Sequence, residues 1–262
     1  MSSRLAVIAS AGAGVAALLW WRRRARRSSD SSTTRPVLCF GDSITEGYHG
    51  IWDHPEFGPK GKANCDELVH LRMHSYAIRL GALLARDAGA VSDASACDYS
   101  TALGYAEARA YSGWTAERML PRLEAALRAG PWRCVCLMAG SNDIILEGAP
   151  ASAAHARVAR LHAACDAAGV PLVVLVNSDC DAARHGAVPP ADAAARRAAL
   201  DELAARVRGA AVTRKRALAD VRAAMPLDAA HADWWDDCIH PSPAGADYLA
   251  GVVHAAIVDA GL

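Results

Sequence analysis

The body of this 262-residue chain lacks any stripe of clustered Lys and Arg. A nucleic-acid binder neutralises phosphates with such a cluster, so its absence excludes that class of partner. The formal net charge is zero, yet residues 1–34 hold six of the 28 basic side chains and one of the 28 acidic ones, which leaves the remainder at about minus five. A disulfide framework is missing too. Eight cysteines are present, but Cys39, Cys134 and Cys136 fall in apolar runs that read as buried strands, where a reduced thiol serves as a small hydrophobe. Cys134-x-Cys136 has no second ligand pair at zinc spacing, and alternation along a strand sends both side chains to one sheet face. No internal repeat is present.

Hydrophobic residues make up 53 % of the chain and charged residues 21 %. Alanine is prominent, which favours helices packed closely on a sheet. Once residues 1–34 are set aside, the length suits one three-layer α/β domain, expected over residues 35–262.

Residues 5–21 run without a charge, end in Trp20-Trp21, and are followed at once by Arg22, Arg23, Arg24, Arg26 and Arg27. As a helix this run would span about 26 Å, at the short edge of a bilayer core of roughly 30 Å. A cleaved signal peptide would carry its positive charge before the apolar run, so cleavage is disfavoured. The expectation is an N-terminal membrane anchor with the arginines, and the body behind them, on the cytosolic side. An organelle transit segment is the alternative, since it too is rich in Arg and Ser. Residues 28–34 read as a short linker.

In the body, residues 36–40 read as a buried strand that ends at Gly41. Residues 48–73 are rich in Gly, Pro, His and charge and lack a clear period, as a substrate wall or lid would. Helices are predicted over residues 75–86, 115–129 with Thr115 as cap, 151–168, 191–208 and 243–260. Strands are predicted over 107–111, 134–139, 171–177 and near Leu218. Strands alternating with helices imply a parallel sheet covered on both faces, whose sites lie beyond the carboxyl ends of the strands. Ser43, Gly113 and Asn142 each fall just after a predicted strand.

Four short motifs carry the chemistry: Gly41-Asp42-Ser43-Ile44-Thr45, Ser112-Gly113, Gly140-Ser141-Asn142-Asp143 and Asp237-Cys238-Ile239-His240. Ser43 supplies a hydroxyl that becomes a nucleophile only if an imidazole takes its proton, and His240 is the candidate base. Asp237 precedes His240 by three residues, which on a helical turn would put both on one face, where the carboxylate fixes the imidazole tautomer. Asp233 and Asp236 are nearby rivals. The backbone N–H groups of Ser43 and Gly113 and the side-chain amide of Asn142 can donate to a developing oxyanion.

Over essentially residues 36–260, these motifs resemble the four blocks of the SGNH hydrolases, also called GDSL esterases and lipases. The likeness is to the single-domain lysophospholipase and arylesterase type. It implies a flavodoxin-like three-layer α/β/α sandwich with a central parallel sheet, and ester or thioester hydrolysis through an acyl-serine without metal or cofactor. The implied triad is Ser43, Asp237 and His240, with Ser43, Gly113 and Asn142 as oxyanion hole. No serine sits in Gly-x-Ser-x-Gly, which separates the chain from ordinary α/β-hydrolases.

Two features depart from the family pattern. Cys238 stands where the family often has Gly, and a positive φ there would strain it and displace the base. The insert at 48–73 is longer than expected. These leave two further readings: a carbohydrate O-acetyl esterase or acyltransferase on the same fold, and a catalytically silent membrane-tethered binding protein. His49, His54, His70, His74 and Cys65 match no standard metal spacing. Trp114, Trp234 and Trp235 flank the motifs and serve either the core or an acyl or aryl pocket.

Overall fold

Val37–Gly41 (Val-Leu-Cys-Phe-Gly) forms the first strand, β1, and every residue in it is buried. Such a continuous apolar run suits a strand covered on both faces. The computed structural model describes residues 35–47 and 74–262. The predicted anchor at 5–21, the linker at 28–34, and the 48–73 insert with His49, His54, Cys65 and His70 lie outside the described residues.

Four further strands pair in parallel with β1 or with one another: β2 (Ala106–Ala110), β3 (Val135–Leu137), β4 (Leu172–Leu175) and β5 (Ala217–Ala219). Their order across the sheet is β2-β1-β3-β4-β5. Leu38 is in register with Glu107 on one side and Val135 on the other, and Val174 with Leu218. The chain steps from β1 to one flank and then crosses to the other, so the order reverses between β1 and β3. Crevices for ligands open at such a switch point, beyond the carboxyl ends of the strands.

Helices cover both faces. α1 (Ser43–Glu46) follows β1, and α2 (Tyr76–Asp87) and α3 (Tyr99–Tyr105) precede β2. α4 (Ala116–Ala129), α5 (Ser141–Ile145), α6 (Ala151–Ala167), α7 (Ala193–Thr213), α8 (Val221–Ala224) and α9 (Pro243–Asp259) complete the described set. α2 packs on α3 and α9, while α4 packs on α6 and α6 on α7, giving the outer layers of a three-layer α/β/α sandwich. The core between them is aliphatic and thiol-rich, with Phe40, Leu80, Met119, Leu137, Val173 and Leu203 fully buried.

The elements differ from the sequence reading in three instructive places. α3 was not foreseen, because only Ala102 is buried along it and no apolar period marks it; Asp98 makes it, accepting from the Thr101 N–H at 2.9 Å. α7 passes through Gly209, a solvent-facing glycine, and ends five residues beyond the predicted stop, with Lys215 in the left-handed region at φ 53°. Thr115 precedes α4 without a side-chain capping bond. Its place is taken by Asp143, whose Oδ2 accepts from the Ala116 N–H at 2.9 Å.

Candidate active site

The strand-to-helix step after β1 is tight because Gly41 has no side chain. A Cβ there would stand 2.7 Å from the Met138 carbonyl oxygen and collide with Thr45 Oγ1. Asp42 then caps α1, its Oδ1 accepting from the Ile44 N–H at 3.2 Å, and Gly47 closes the single turn at φ 82°. Ser43 is thereby held at the first helical position, 9 % exposed, on the carboxyl edge of the sheet. Burial pushes the Asp42 carboxyl up to about 6, against the pull of the Ile44 N–H and the His240 charge.

His240 arrives from the loop ahead of α9. Its Nε2 lies 2.9 Å from Ser43 Oγ, and its Nδ1 lies 2.7 Å from Asp237 Oδ2. With Nδ1–H donating to the carboxylate, the neutral ring presents Nε2 as acceptor to the Ser43 hydroxyl. Of the three nearby aspartates, the geometry gives this partnership to Asp237.

The Asp237–His240 pair does not sit on a helical turn. Residues 236–239 form a bend instead, closed by the Asp236 N–H donating to the His240 carbonyl at 3.0 Å and by a bridge between Trp235 and Pro241. The i, i+3 approach comes from Asp237 itself. Its Oδ1 accepts from the Ile239 and His240 N–H groups at 2.8 and 2.7 Å, which wraps the loop around the carboxylate. Burial would raise the Asp237 pKa, but the hydrogen bond and charge of His240, with those two N–H groups, hold it down to about 2. Its outer side opens on a cavity of about 550 Å³ shared with Asp181, Arg184, Arg197 and Trp235.

Cys238 is not strained. Lys215 is the only non-glycine residue of positive φ among the described residues, and the Cys238 carbonyl accepts from the Asp181 N–H at 2.9 Å. The positive φ that would displace the base is therefore absent at Cys238.

Gly113 has φ 73° in a turn closed by the Trp114 N–H donating to the Tyr111 carbonyl at 3.1 Å. Among the described residues a Cβ there would meet nothing within 4 Å, so the positive φ demands glycine. Asn142 is the second residue of α5, and its Nδ2 donates to the Trp114 carbonyl at 3.0 Å. That bond ties the Asn142 amide to the Gly113 turn and uses one of its two N–H donors. Because β2, β1 and β3 are adjacent, the loops bearing Gly113, Ser43 and Asn142 lie side by side.

Three residues without an assigned role in the sequence, Asp42, Asp143 and Asn177, hold this edge together. Asp143, buried, accepts from Arg157 Nη1 at 2.9 Å as well as from Ala116, so it clamps α5 to the start of α4. Asn177, just past β4, donates from Nδ2 to the Ala139 carbonyl at 2.9 Å and to Ser141 Oγ at 2.8 Å, which pins the turn into α5. Asp42 shapes the turn before Ser43, at the head of the same helix whose last residue, Glu46, is buried. The available signal was position: each lies inside or beside a motif, or at a strand end.

Trp235 belongs to the core, its Nε1 donating to the Pro226 carbonyl at 3.1 Å. Trp234 stacks on Tyr248 at 4.2 Å, and Trp114 stacks on Tyr111 at 4.8 Å beneath Arg118. His74 pairs with Asp247 at 2.8 Å, and the described residues contain no group of three or more His, Cys, Asp and Glu that could hold a metal. The seven described cysteines are free. Among the described residues no helix is long and apolar enough to cross a membrane.

Known proteins share this architecture. A GDSL-like lipase from Bacteroides thetaiotaomicron superposes with a TM-score of 0.60 at 16 % identity, covering 92 % of this chain and 98 % of that one. A lipase/acylhydrolase from Enterococcus faecalis gives 0.57 at 17 %, covering 86 % and 96 %. An alpha/beta hydrolase enzyme from the metagenome of Lake Arreo gives 0.58 at 18 %, covering 86 % and 97 %. At such identities these likenesses establish the fold. None of the curated proteins matches the chain. The model of the GDSL-like lipase/acylhydrolase family matches residues 39–248, most of the chain, and the protein belongs to that family.

Proposed function

We propose that this protein is a serine esterase that cleaves carboxylic esters or thioesters through an acyl-serine. The observation that carries the reading is the continuous chain from Ser43 Oγ through His240 to Asp237, at 2.9 and 2.7 Å. Ser43 Oγ attacks the substrate carbonyl carbon as its proton passes to His240 Nε2, and the carbonyl π electrons move onto oxygen. The Ser43 and Gly113 N–H groups and the free Asn142 amide donor stabilise that oxyanion. The tetrahedral intermediate collapses, the alcohol or thiol leaves with the proton from His240, and the acyl group remains on Ser43. Water then attacks with His240 as base, releasing the acid and restoring the hydroxyl. Asp237, held ionised, keeps Nδ1 protonated and offsets the imidazolium charge in both halves.

Ser43→Ala tests the assignment. Hydrolysis of chromogenic acyl esters and labelling by a fluorophosphonate should both disappear, and a pure variant that still turns over at the wild-type rate would sink it. A substrate series from acetyl to palmitoyl esters reads the acyl preference. We further propose that residues 5–21 tether the chain to a membrane with the body on the cytosolic side, supported by the uncharged run, the Trp pair and the arginines behind it. Flotation of the full chain with lipid vesicles, lost when residues 1–34 are removed, is the expected result.

A further inference from the structure

Asn142 stands on a short support. The helix that carries it, α5, has five residues and begins directly after Gly140, which takes φ 105° and offers no capping side chain. Glycine leaves the backbone its widest freedom, so the direction of Asn142 depends on what holds the residues on either side of Gly140. Asn177 holds both. Its Nδ2 donates to the Ala139 carbonyl at 2.9 Å and to Ser141 Oγ at 2.8 Å, which brackets the glycine between two fixed points. Because a carbonyl can only accept, the nitrogen end of the amide must face this turn. Asn177 itself is 1 % exposed and follows β4, whose pairing continues through the Val176 N–H to the Ala219 carbonyl at 3.0 Å. The bracket is thus anchored on the sheet.

Building on the esterase reading, we propose that Asn177 is a positioning residue: by bracketing Gly140 through Ala139 and Ser141, it aims the Asn142 amide at the oxygen of the reacting carbonyl. Asn142 does not aim itself. One of its Nδ2 hydrogens is committed to the Trp114 carbonyl at 3.0 Å, and the other then points where the backbone of α5 puts it. A hydrogen bond weakens steeply as its angle closes, so a small rotation of the helix start takes that donor off the oxyanion. Asp143 restrains the same helix from another side, through the Ala116 N–H and Arg157 at 2.9 Å each. Those partners belong to the outer helices, whereas Asn177 belongs to the end of a strand. β1, which leads to Ser43, and β4, which leads to Asn177, both pair with β3. Asn177 therefore registers the third oxyanion donor against the same sheet that carries the nucleophile.

The experiment measures kcat and KM on a chromogenic acyl ester for Asn177→Ala, Ser141→Ala and Asn142→Ala, and for each of the first two combined with the third, with Ser43→Ala as reference. Asn142→Ala should lower kcat by about 10² to 10³-fold, the loss typical of one oxyanion donor. Asn177→Ala should lower kcat by about tenfold or more with KM nearly unchanged, since the donor is kept but misdirected. Ser141→Ala removes one of the two bracketing bonds and should lower kcat by about fivefold, the weight of a single hydrogen bond. The combined variants separate aiming from a general structural role. If Asn177 acts through Asn142, then in the Asn142→Ala background either substitution should cost less than about twofold further, whereas damage unrelated to Asn142 would multiply. Should Asn177→Ala fail to fold, Ser141→Ala, alone and combined with Asn142→Ala, decides the same question. Wild-type kcat in Asn177→Ala, Ser141→Ala or Asn142→Ala, an effect confined to KM, or losses that multiply in the combined variants would each overturn the proposal. Activity surviving in Ser43→Ala would instead overturn the esterase reading.

Discussion

His240 Nε2 and Ser43 Oγ lie 2.9 Å apart although 197 residues separate them in the chain. The closure is made by two short devices at opposite ends of the sequence. One is a single helical turn capped by Asp42, and the other is a loop wrapped around the Asp237 carboxylate. The second device gives Asp237 two duties, one toward the ring and one toward the backbone, and substitutions can separate them.

Asp237→Asn retains an oxygen for the Ile239 and His240 N–H groups but releases control of the imidazole tautomer. Its kcat should fall by roughly 10³ to 10⁴-fold with little change in the unfolding midpoint. Asp237→Ala loses both duties and should also unfold at lower urea. Equal midpoints for the two variants would contradict the backbone role.

Gly113 and Gly41 are indispensable for different reasons, and alanine distinguishes them. Gly113→Ala meets no atom of the described residues, so its cost is the left-handed conformation, about 1–2 kcal/mol. It should fold, with reduced kcat as the turn relaxes. Gly41→Ala drives a methyl against the Met138 carbonyl and should be far less stable, a contrast that urea titration reads directly.

Asp143→Ala leaves the Ala116 N–H without its acceptor at the start of α4, while Arg157 keeps Glu147 at 2.7 Å. The expected loss is about 1–3 kcal/mol, the cost of one orphaned buried donor. Because Asp143 ties α5 to α4 next to Asn142 and the Gly113 turn, kcat should fall with it. Unaltered stability would remove the clamp.

Stability should depend on pH through Asp42 and Glu46. Their folded pKa values, about 6 and about 8, lie above the ordinary 3.8 and 4.5. The native state thus holds protons longer than the unfolded chain, and the stability these groups contribute is complete below about pH 4 and lost as pH rises through 6 and then 8. Glu46→Gln removes the upper portion. Since each unit is worth about 1.4 kcal/mol, the variant should lose up to about 4 kcal/mol less than wild type between pH 5 and 9. Parallel denaturation curves at pH 5, 7 and 9 would contradict this.

Much of the architecture was legible along the chain. The run through Val37, Leu38 and Phe40 marks a strand buried on both faces, and the alanine-rich stretches leading to α6 and α9 carry helical propensity and clear stops. Less legible were elements made by one side chain rather than by a period, such as α3 under Asp98 or the loop around Asp237. The Thr115 cap misled because a hydroxyl in the favoured position was out-competed by a carboxylate from 27 residues away.

What the sequence alone determined is the parts: the four motifs, their order, and a parallel sheet that sets three of them after strand ends, since hydrophobic period and turn chemistry are local properties. Only the tertiary structure decided the assembly. The β2-β1-β3 adjacency sets the loops of Ser43, Gly113 and Asn142 together, the Asp237 loop rather than a helix aims His240, and the backbone at Cys238 carries no strain. Asp143 acquires meaning there as well, because the free energy of a buried carboxyl depends on which donors the folded chain brings to it.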